Sequence, residues 1–499
     1  MDLPHDCAAN SSKNRMIRWT KHLPPVAEAD SRQLIADSFY KEIGMDESLP
    51  APRGMKTFLI IWLGELVSMI GSGLTSFALG VWIFRETRQA TPFTITMLFN
   101  TIPRILLSPL AGSIADRWSR RWVMILADTG NALVTLCAAI LLLTGNLEIW
   151  HIYLIALFNS SFAAFQEPAY TASITMLVPK KDLARASGLM QMGQAVEMLI
   201  SPVLAGALFG AIGLNGIMFI DFATFFFAIA ALVVVRIPQP KLAQEEKRSG
   251  NLVWHDARLG WNYLTSRPGL IGLLSYFALV NFLLNFAVVL QGPLVLSMAS
   301  AGVFGLVQTV SGVGMLAGSI AMSAWGGPKR RMPALIGLIL LLALSLLVIG
   351  GWPSPIFVAA GLSIMMFFAP MASGLSQALF QSKVEPSVQG RVFAIRGMIA
   401  RSMIPLAFLI SGPLADLIFE PWVQREGAAQ GFVRSIIGSG PGRGIGLMFV
   451  LSGLTLILAS FLAFINQRIW RLEEELPDAL PSAEDEAPVE PKSLDIEPA

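Results

Sequence analysis

Long apolar runs recur along the chain, each bounded by short polar or charged stretches. A membrane-spanning helix needs about 20 mostly apolar residues. Twelve runs meet that need: 57–84, 92–116, 122–144, 150–176, 185–212, 214–236, 269–292, 300–325, 332–351, 354–380, 391–418 and 445–467. Several exceed the minimum and can tilt or extend past the bilayer. The long polar stretch 237–268 follows the sixth run and divides the series into two sets of six. The pattern predicts an all-α membrane protein of twelve transmembrane helices in two pseudo-symmetric six-helix bundles. The expected organisation is a cytoplasmic N-terminal extension (1–54), a first bundle (55–236), a cytoplasmic linker (237–268), a second bundle (269–467) and an acidic disordered cytoplasmic tail (468–499). Within the linker, Val253, Ala257, Trp261 and Leu264 fall on one face of a helix. Trp254 and Tyr263 suit a membrane interface, and a plain connector is the alternative.

Composition supports the same reading. Of 499 residues, 54% are hydrophobic and only 14% charged, against about 25% charged in soluble domains. This excludes a soluble enzyme and a disordered protein. The net charge of +2 offers no bulk attraction for nucleic acid. Residues 1–54 lack the layout of a secretory signal. Cys7 and Cys137 suggest no disulfide framework, and His5, His22, His151 and His255 are scattered, so no metal or other cofactor is expected. The glycine-rich stretch 438–446 lacks the Gly-Lys-[Ser/Thr] ending of a phosphate loop. No ATP-binding signature occurs, so no hydrolytic power source is expected.

Positive charge sets an expected orientation. With the N-terminus in the cytoplasm, Arg117, Arg120, Arg121, Lys180, Lys181, Arg185, Lys329, Arg330 and Arg331 all fall inside. The opposite loops hold only Arg85, Arg88, Arg425, Arg434 and Arg443. The positive-inside rule then places both termini in the cytoplasm.

One loop carries a motif. Gly112-Ser113-Ile114-Ala115-Asp116-Arg117-Trp118-Ser119-Arg120-Arg121 resembles the loop 2–3 signature of the major facilitator superfamily, G-x-x-x-D-R-x-G-R-[KR]. Gly112, Asp116, Arg117, Arg120 and Arg121 match, and Ser119 replaces a glycine. A degenerate second copy occupies Gly326–Arg331, and the resemblance covers about residues 55–470. Physically, Gly112 permits close helix approach. Asp116 can accept charge-assisted hydrogen bonds from a helix N-terminus or an arginine, and the arginines can hold the anionic inner leaflet. The resemblance implies a conformational latch favouring the outward-facing state. A simple topology anchor is the alternative.

A narrower resemblance lies in Glu167-Pro168-Ala169-Tyr170 and Val178–Leu189, similar to the junction of the fourth and fifth spans in bacterial macrolide-efflux proteins and the enterobactin exporter. It implies a proton-driven exporter of bulky amphiphiles in the bacterial inner membrane, acting as a monomer on a small molecule and protons. The fourth-span arginine of many drug–proton antiporters is absent, since no Arg or Lys lies between 150 and 176.

Ionisable groups inside spans are costly and mark functional sites by default. The first set of spans holds Glu65, Asp128, Glu167, Glu197 and Asp221 against Arg104; the eleventh span holds Arg396 and Arg401. Unpaired acids in low dielectric tend to hold a proton, which suits proton coupling. By the resemblance, spans 1, 4, 7 and 10 line the cavity, so Glu65 and Glu167 are the first candidates. Glu197 and Arg104 can pair, and Arg401 can meet an anionic substrate. Asp128 and Asp221 read as structural. Glu65 binds a proton or a cationic substrate, or stays neutral and hydrogen-bonded within the bundle. Asn159, Asn281, Asn285 and Gln377 add polar groups to an otherwise apolar pocket. Pro103, Pro202 and Pro405 are hinge candidates, and Gly206 with Gly210 gives the fifth span a close-packing face. Rival readings are an importer of the same fold, a non-transporting membrane scaffold and a membrane-embedded enzyme.

Overall fold

The computed structural model describes residues 54–179, 182–235, 250–328 and 330–475, without the side chains of 116, 117, 250–257, 386, 387, 474 and 475. Expectations for residues 1–53, for the acidic tail from 476 on, and for Lys180, Lys181 and Lys329 lie outside the described residues, whereas residues 468–475, expected to belong to that disordered tail, are described and almost wholly helical. The first set of helices is α1 (Met55–Thr87), α2 (Ala90–Arg117), α3 (Arg120–Leu143), α4 (Ile149–Leu177), α5 (Leu183–Ala211) and α6 (Gly213–Val234). The linker forms α7 (Gly250–Thr265). The second set begins with α8 (Pro268–Met298), α9 (Ala301–Trp325), α10 (Arg331–Gly351), α11 (Pro355–Lys383) and α12 (Pro386–Pro413). A π-helical stretch (Leu414–Phe419) runs on into α13 (Glu420–Gln424); α14 (Ala428–Ile437), α15 (Arg443–Ile465), α16 (Gln467–Trp470) and α17 (Leu472–Glu475) complete the chain. No strand occurs among the described residues.

Eleven of these helices are long and apolar enough to cross a membrane. The expected fourth span, α4, is a helix of 29 residues but falls outside that group. Asn159, Ser160, Ser161, Gln166 and Glu167 interrupt its apolar run. The least membrane-like helix of the first set thus concentrates polar side chains.

The two sets pack alike. In the first, α1 lies on α5 and α6, α2 on α4, and α3 on α4 and α6. In the second, α8 lies on α12 and α15, α9 on α11, and α10 on α11 and α15. Each pair has its counterpart, which is the internal symmetry that the repeated layout predicted. The halves meet through α5 against α9 and α2 against α12.

Glycines show how unevenly those interfaces close. At the end where α2 and α9 begin, a Cβ on Gly206 would lie 2.7 Å from the Ala301 carbonyl oxygen. A Cβ on Gly305 would strike the Pro202 carbonyl, and one on Gly412 would strike Thr91 and Thr94. Backbones there touch because no side chain intervenes. At the other end, a Cβ on Gly112, Gly188, Gly390 or Gly397 would meet nothing within 4 Å. The halves are pressed together at the α1–α2 end and stand apart at the other. Gly112 therefore makes no close approach in this conformation. Gly210, expected beside Gly206 on a packing face, likewise has open space around it.

Basic side chains tie helix ends at the open end. Arg120 donates to the Ala172 carbonyl (2.6 Å), and Arg121 donates to Leu232 and Val233 (2.7 Å each). In the second half Arg331 donates to Ala378 (3.2 Å). The backbone amides of Arg331 and Met332 donate to the Glu473 carboxylate (2.9 Å each). Cations at helix C-termini and an acid at an N-terminus each complement the helix dipole. The linker helix docks on the second half: Gly260 abuts Ile395 of α12, Leu264 is fully buried and Trp261 is exposed. Trp261 and Leu264 therefore do not share one buried face.

Candidate functional site

A cavity of about 580 Å³ lies inside the first half, lined from all six of its spans. On α1, Glu65, Ser68, Met69, Ser72 and Ser76 recur at helical spacing and face it. On α4, Asn159, Ala163, Gln166, Glu167, Tyr170 and Thr171 do the same. Polar stripes on these neighbouring helices meet in the cavity wall.

Its centre is a carboxylate pair joined by an amide. Gln166 Nε2 donates to Glu65 Oε2 (3.0 Å) and to Asp128 Oδ1 (2.6 Å). One amide nitrogen thus spends both its hydrogens on two acids from two other helices. Both acids are buried, Glu65 at 4% and Asp128 at 1% exposure. The remaining oxygens, Glu65 Oε1 and Asp128 Oδ2, are buried with no hydrogen-bond partner, as is the Tyr170 hydroxyl. A buried acceptor left unmatched costs about 1–3 kcal/mol, so the cluster has room for further donors. Asp221, also buried, accepts from Ser72 (3.2 Å) and Thr135 (3.3 Å).

The other expected residues take different places. Glu167, Glu197 and Arg104 line the cavity, with Glu167 and Arg104 exposed to it. Arg104 and Glu197 face the same space without closing to a salt bridge. Arg401 is exposed and lines neither this cavity nor its neighbour. Arg396 is held by Gln377 (2.8 Å) and Ser376 (2.9 Å) and lies over the Phe380 ring. Asn281 and Asn285 donate back to their own helix, to Phe277 (2.9 Å) and Asn281 (2.8 Å) carbonyls. Of the loop signature, Arg120 and Arg121 are tied as described, while the side chains of Asp116 and Arg117 lie outside the described residues. Pro103, Pro202 and Pro405 sit on α2, α5 and α12, three of the four helices that join the halves.

Asp128 and Gln166 were not singled out from sequence as partners of Glu65. The signal was present in the helical spacing of Asn159, Gln166 and Tyr170 and of Asp128 with Asn131. Only the crossing of α1, α3 and α4 brings those stripes together.

A second cavity of about 380 Å³ lies between the halves. Phe77, Phe93, Met198, Val288, Phe304 and Phe408 make it mostly apolar. Gly73, Ser76, Met97 and Glu197 line both cavities, so the polar and apolar spaces adjoin.

The family model described as Major Facilitator Superfamily matches residues 61–408. The chain belongs to this superfamily. Macrolide efflux protein A of Streptococcus pyogenes is 28% identical over 367 residues, covering 72% of this chain and 90% of that protein. Multidrug efflux pump Tap of Mycolicibacterium fortuitum is 21% identical, covering 72% and 89%. Among solved structures, a bacterial homolog of the human lysosomal transporter Spinster aligns with a TM-score of 0.58 at 16% identity, covering 83% of this chain and 97% of that one. That likeness shares the fold. The superfamily protein described here is thus a multi-pass membrane transporter of two six-helix bundles.

Proposed function

We propose that this transporter exports an amphiphilic small molecule in exchange for protons. The observation that carries the proposal is the Gln166 amide held between Glu65 and Asp128 at the wall of a cavity. Each acid has one oxygen matched by the amide and one buried without a donor. A proton arriving on either carboxyl supplies the missing hydrogen, and its loss restores a charge beside the cavity. Glu167 and Glu197, open to the same space, take the polar or cationic end of the substrate. The adjoining apolar cavity takes its body. The efflux relatives support both the direction and the amphiphilic class.

The cycle is a rocking of residues 55–236 against 269–467. The end that stands open loads the cavity from the cytoplasm, the side to which the basic loops are assigned. In the opposite state Gly112, Asp116, Arg117, Arg120 and Arg121 latch that end shut, with bending at Pro103, Pro202 and Pro405.

The test is uptake of a radiolabelled macrolide into inside-out vesicles from an efflux-deficient bacterial host expressing the full chain. Accumulation that needs an inwardly acidic pH gradient and collapses with a protonophore is expected. Gradient-independent or absent accumulation overturns the proposal, and uptake into right-side-out vesicles instead points to an importer.

A further inference from the structure

The start of α2 has no cap of its own. Gln89 stands at the N-cap position and makes no side-chain hydrogen bond to the helix. The first turn exposes the amides of Ala90, Thr91 and Phe93, since Pro92 has no N–H. Two of these are taken by an acid from the other half of the molecule. Ala90 N–H donates to Asp416 Oδ1 (2.9 Å) and Thr91 N–H to Asp416 Oδ2 (2.7 Å). The Thr91 hydroxyl also donates to Oδ2 (2.6 Å). The carboxylate meets the positive end of the α2 dipole through three charge-assisted bonds, the strong class of hydrogen bond.

The backbone that delivers Asp416 is unusual. Residues Leu414–Phe419 leave the α-helix for a π-helical stretch after Pro413. π-helical insertions are rare and frequent at functional sites. One residue before Pro413, Gly412 lets the chain come against Thr91 and Thr94.

One turn further along α2, Phe93 lies between two glycines. A Cβ on Gly80 of α1 would be 3.0 Å from its ring, and one on Gly292 of α8 would be 2.6 Å from it. The ring is seated in a slot formed half by each bundle, at the wall of the interfacial cavity. Phe77 stacks on Phe304 across the same interface, centroids 4.9 Å apart.

The symmetry mate of this contact is built otherwise. The start of α9 is capped by its own Ser300, whose hydroxyl accepts from Val303 N–H (3.4 Å). Its contact with α5 is a glycine crossing, with no carboxylate from the other half. Parting α9 from α5 leaves α9 capped, whereas parting α12 from α2 uncovers the α2 amides and strips Asp416 of its donors.

We infer that Asp416 is a positioning residue of the transport cycle: its seat on the α2 N-terminus, with Phe93 closing the Gly80–Gly292 slot beneath, is a releasable clasp that holds the α1–α2 end shut. The clasp is independent of the Glu65 cluster, so its release biases the two conformations without removing a proton or substrate group.

The full chain carrying Cys7→Ser, Cys137→Ser and Ser76→Cys reports the conformation, because Ser76 lines both cavities. A membrane-impermeant maleimide is applied to right-side-out and inside-out vesicles. Asp416→Ala is expected to shift the ratio of labelling between the two faces about tenfold toward the α1–α2 face, as loss of charge-assisted bonds to one of two states implies. Thr91→Val, losing one of the three bonds, shifts it less. Gly292→Ala leaves the Asp416 cap intact and pushes a methyl into the Phe93 seat; it shifts the ratio the same way and guards against a folding defect specific to Asp416→Ala. A ratio equal to the parent's in both Asp416→Ala and Gly292→Ala overturns the clasp. The readout needs neither substrate nor proton gradient, so it stands apart from the test of export.

Discussion

The two bundles repeat each other in how their helices pack and differ in what they bury. In the first, apolar packing comes in two parts. Phe58, Met124, Leu177 and Leu232 belong to one core at the open end. Leu74, Phe77, Ile152 and Met218 belong to another, continuous with the second bundle. The acids that the first bundle buries, Glu65, Asp128 and Asp221, line its cavity. In the second bundle one core runs from Leu270 to Leu472, and among the described residues it buries no acid. Its buried charges, Lys383 and Arg443, instead close helix ends: Lys383 donates to the Glu473 carbonyl (2.8 Å) and Arg443 to that of Ile437 (2.8 Å). One scaffold has been used twice. Polar stripes facing inward line a cavity in one copy, and the other buries apolar side chains in one core.

The largest effect tests the polar side of that contrast. Glu65→Gln and Asp128→Asn each keep the volume and remove the ionisable group. Gradient-driven macrolide uptake is expected to fall about tenfold or more, the scale of losing a hydrogen bond to a charged group. The pH dependence of the residual uptake flattens. Wild-type uptake with an unchanged pH profile in both variants would take proton coupling away from the Glu65–Asp128 pair.

The next tests the packed side. Gly318 on α9 lies against the Phe367 backbone so closely that a Cβ would strike its carbonyl oxygen. Gly318→Ala is expected to cost about 1–3 kcal/mol, as overpacking does, read as a lower melting temperature in detergent. Gly188→Ala on α5, with open space around it, leaves melting unchanged or raised by up to about 1 kcal/mol in stability. Equal losses at the two positions would mean that the α9–α11 crossing at Gly318 is packed no more tightly than the space around Gly188.

The fold was legible because its signals are local and repeated. Each span declares itself by its own apolar run, and each basic loop by its own charge. The fourth span shows the limit of that reading: α4 pays for its polar stripe with the apolarity by which spans are recognised. The site was legible only as a list of acids. Glu65 stood out for its charge, but neutral Gln166 gave no comparable signal, and Asp128 read as structural for its place in the chain. Their meeting depends on where α1, α3 and α4 cross. Asp416 was hidden for a related reason, since it caps a helix more than three hundred residues away. Gly112 was read for a close approach that this conformation does not make.

A smaller effect concerns a feature of the second bundle alone. Glu473 caps the start of α10 through both carboxylate oxygens. Glu473→Ala is expected to cost about 1 kcal/mol, as loss of a helix cap does, with a lower melting temperature and uptake unchanged per folded molecule. Lost uptake at full stability would give this end of the chain a part in transport.

The smallest effect is the sharpest check on the asymmetry. Asn281 and Asn285 sit on α8, the counterpart of α1, and were expected to add polar groups to the pocket. Their amides donate to carbonyls of their own helix, and neither residue lines either cavity. Asn281→Leu and Asn285→Leu therefore remove no contact to substrate or proton, and uptake is expected to stay within about twofold of the parent, the range of substitutions away from special features. A larger fall in uptake, with the melting temperature held, would place polar recognition on α8 as well as α1. The two bundles would then share the chemistry as they share the fold, and the division between a polar working half and an apolar counterpart would fail.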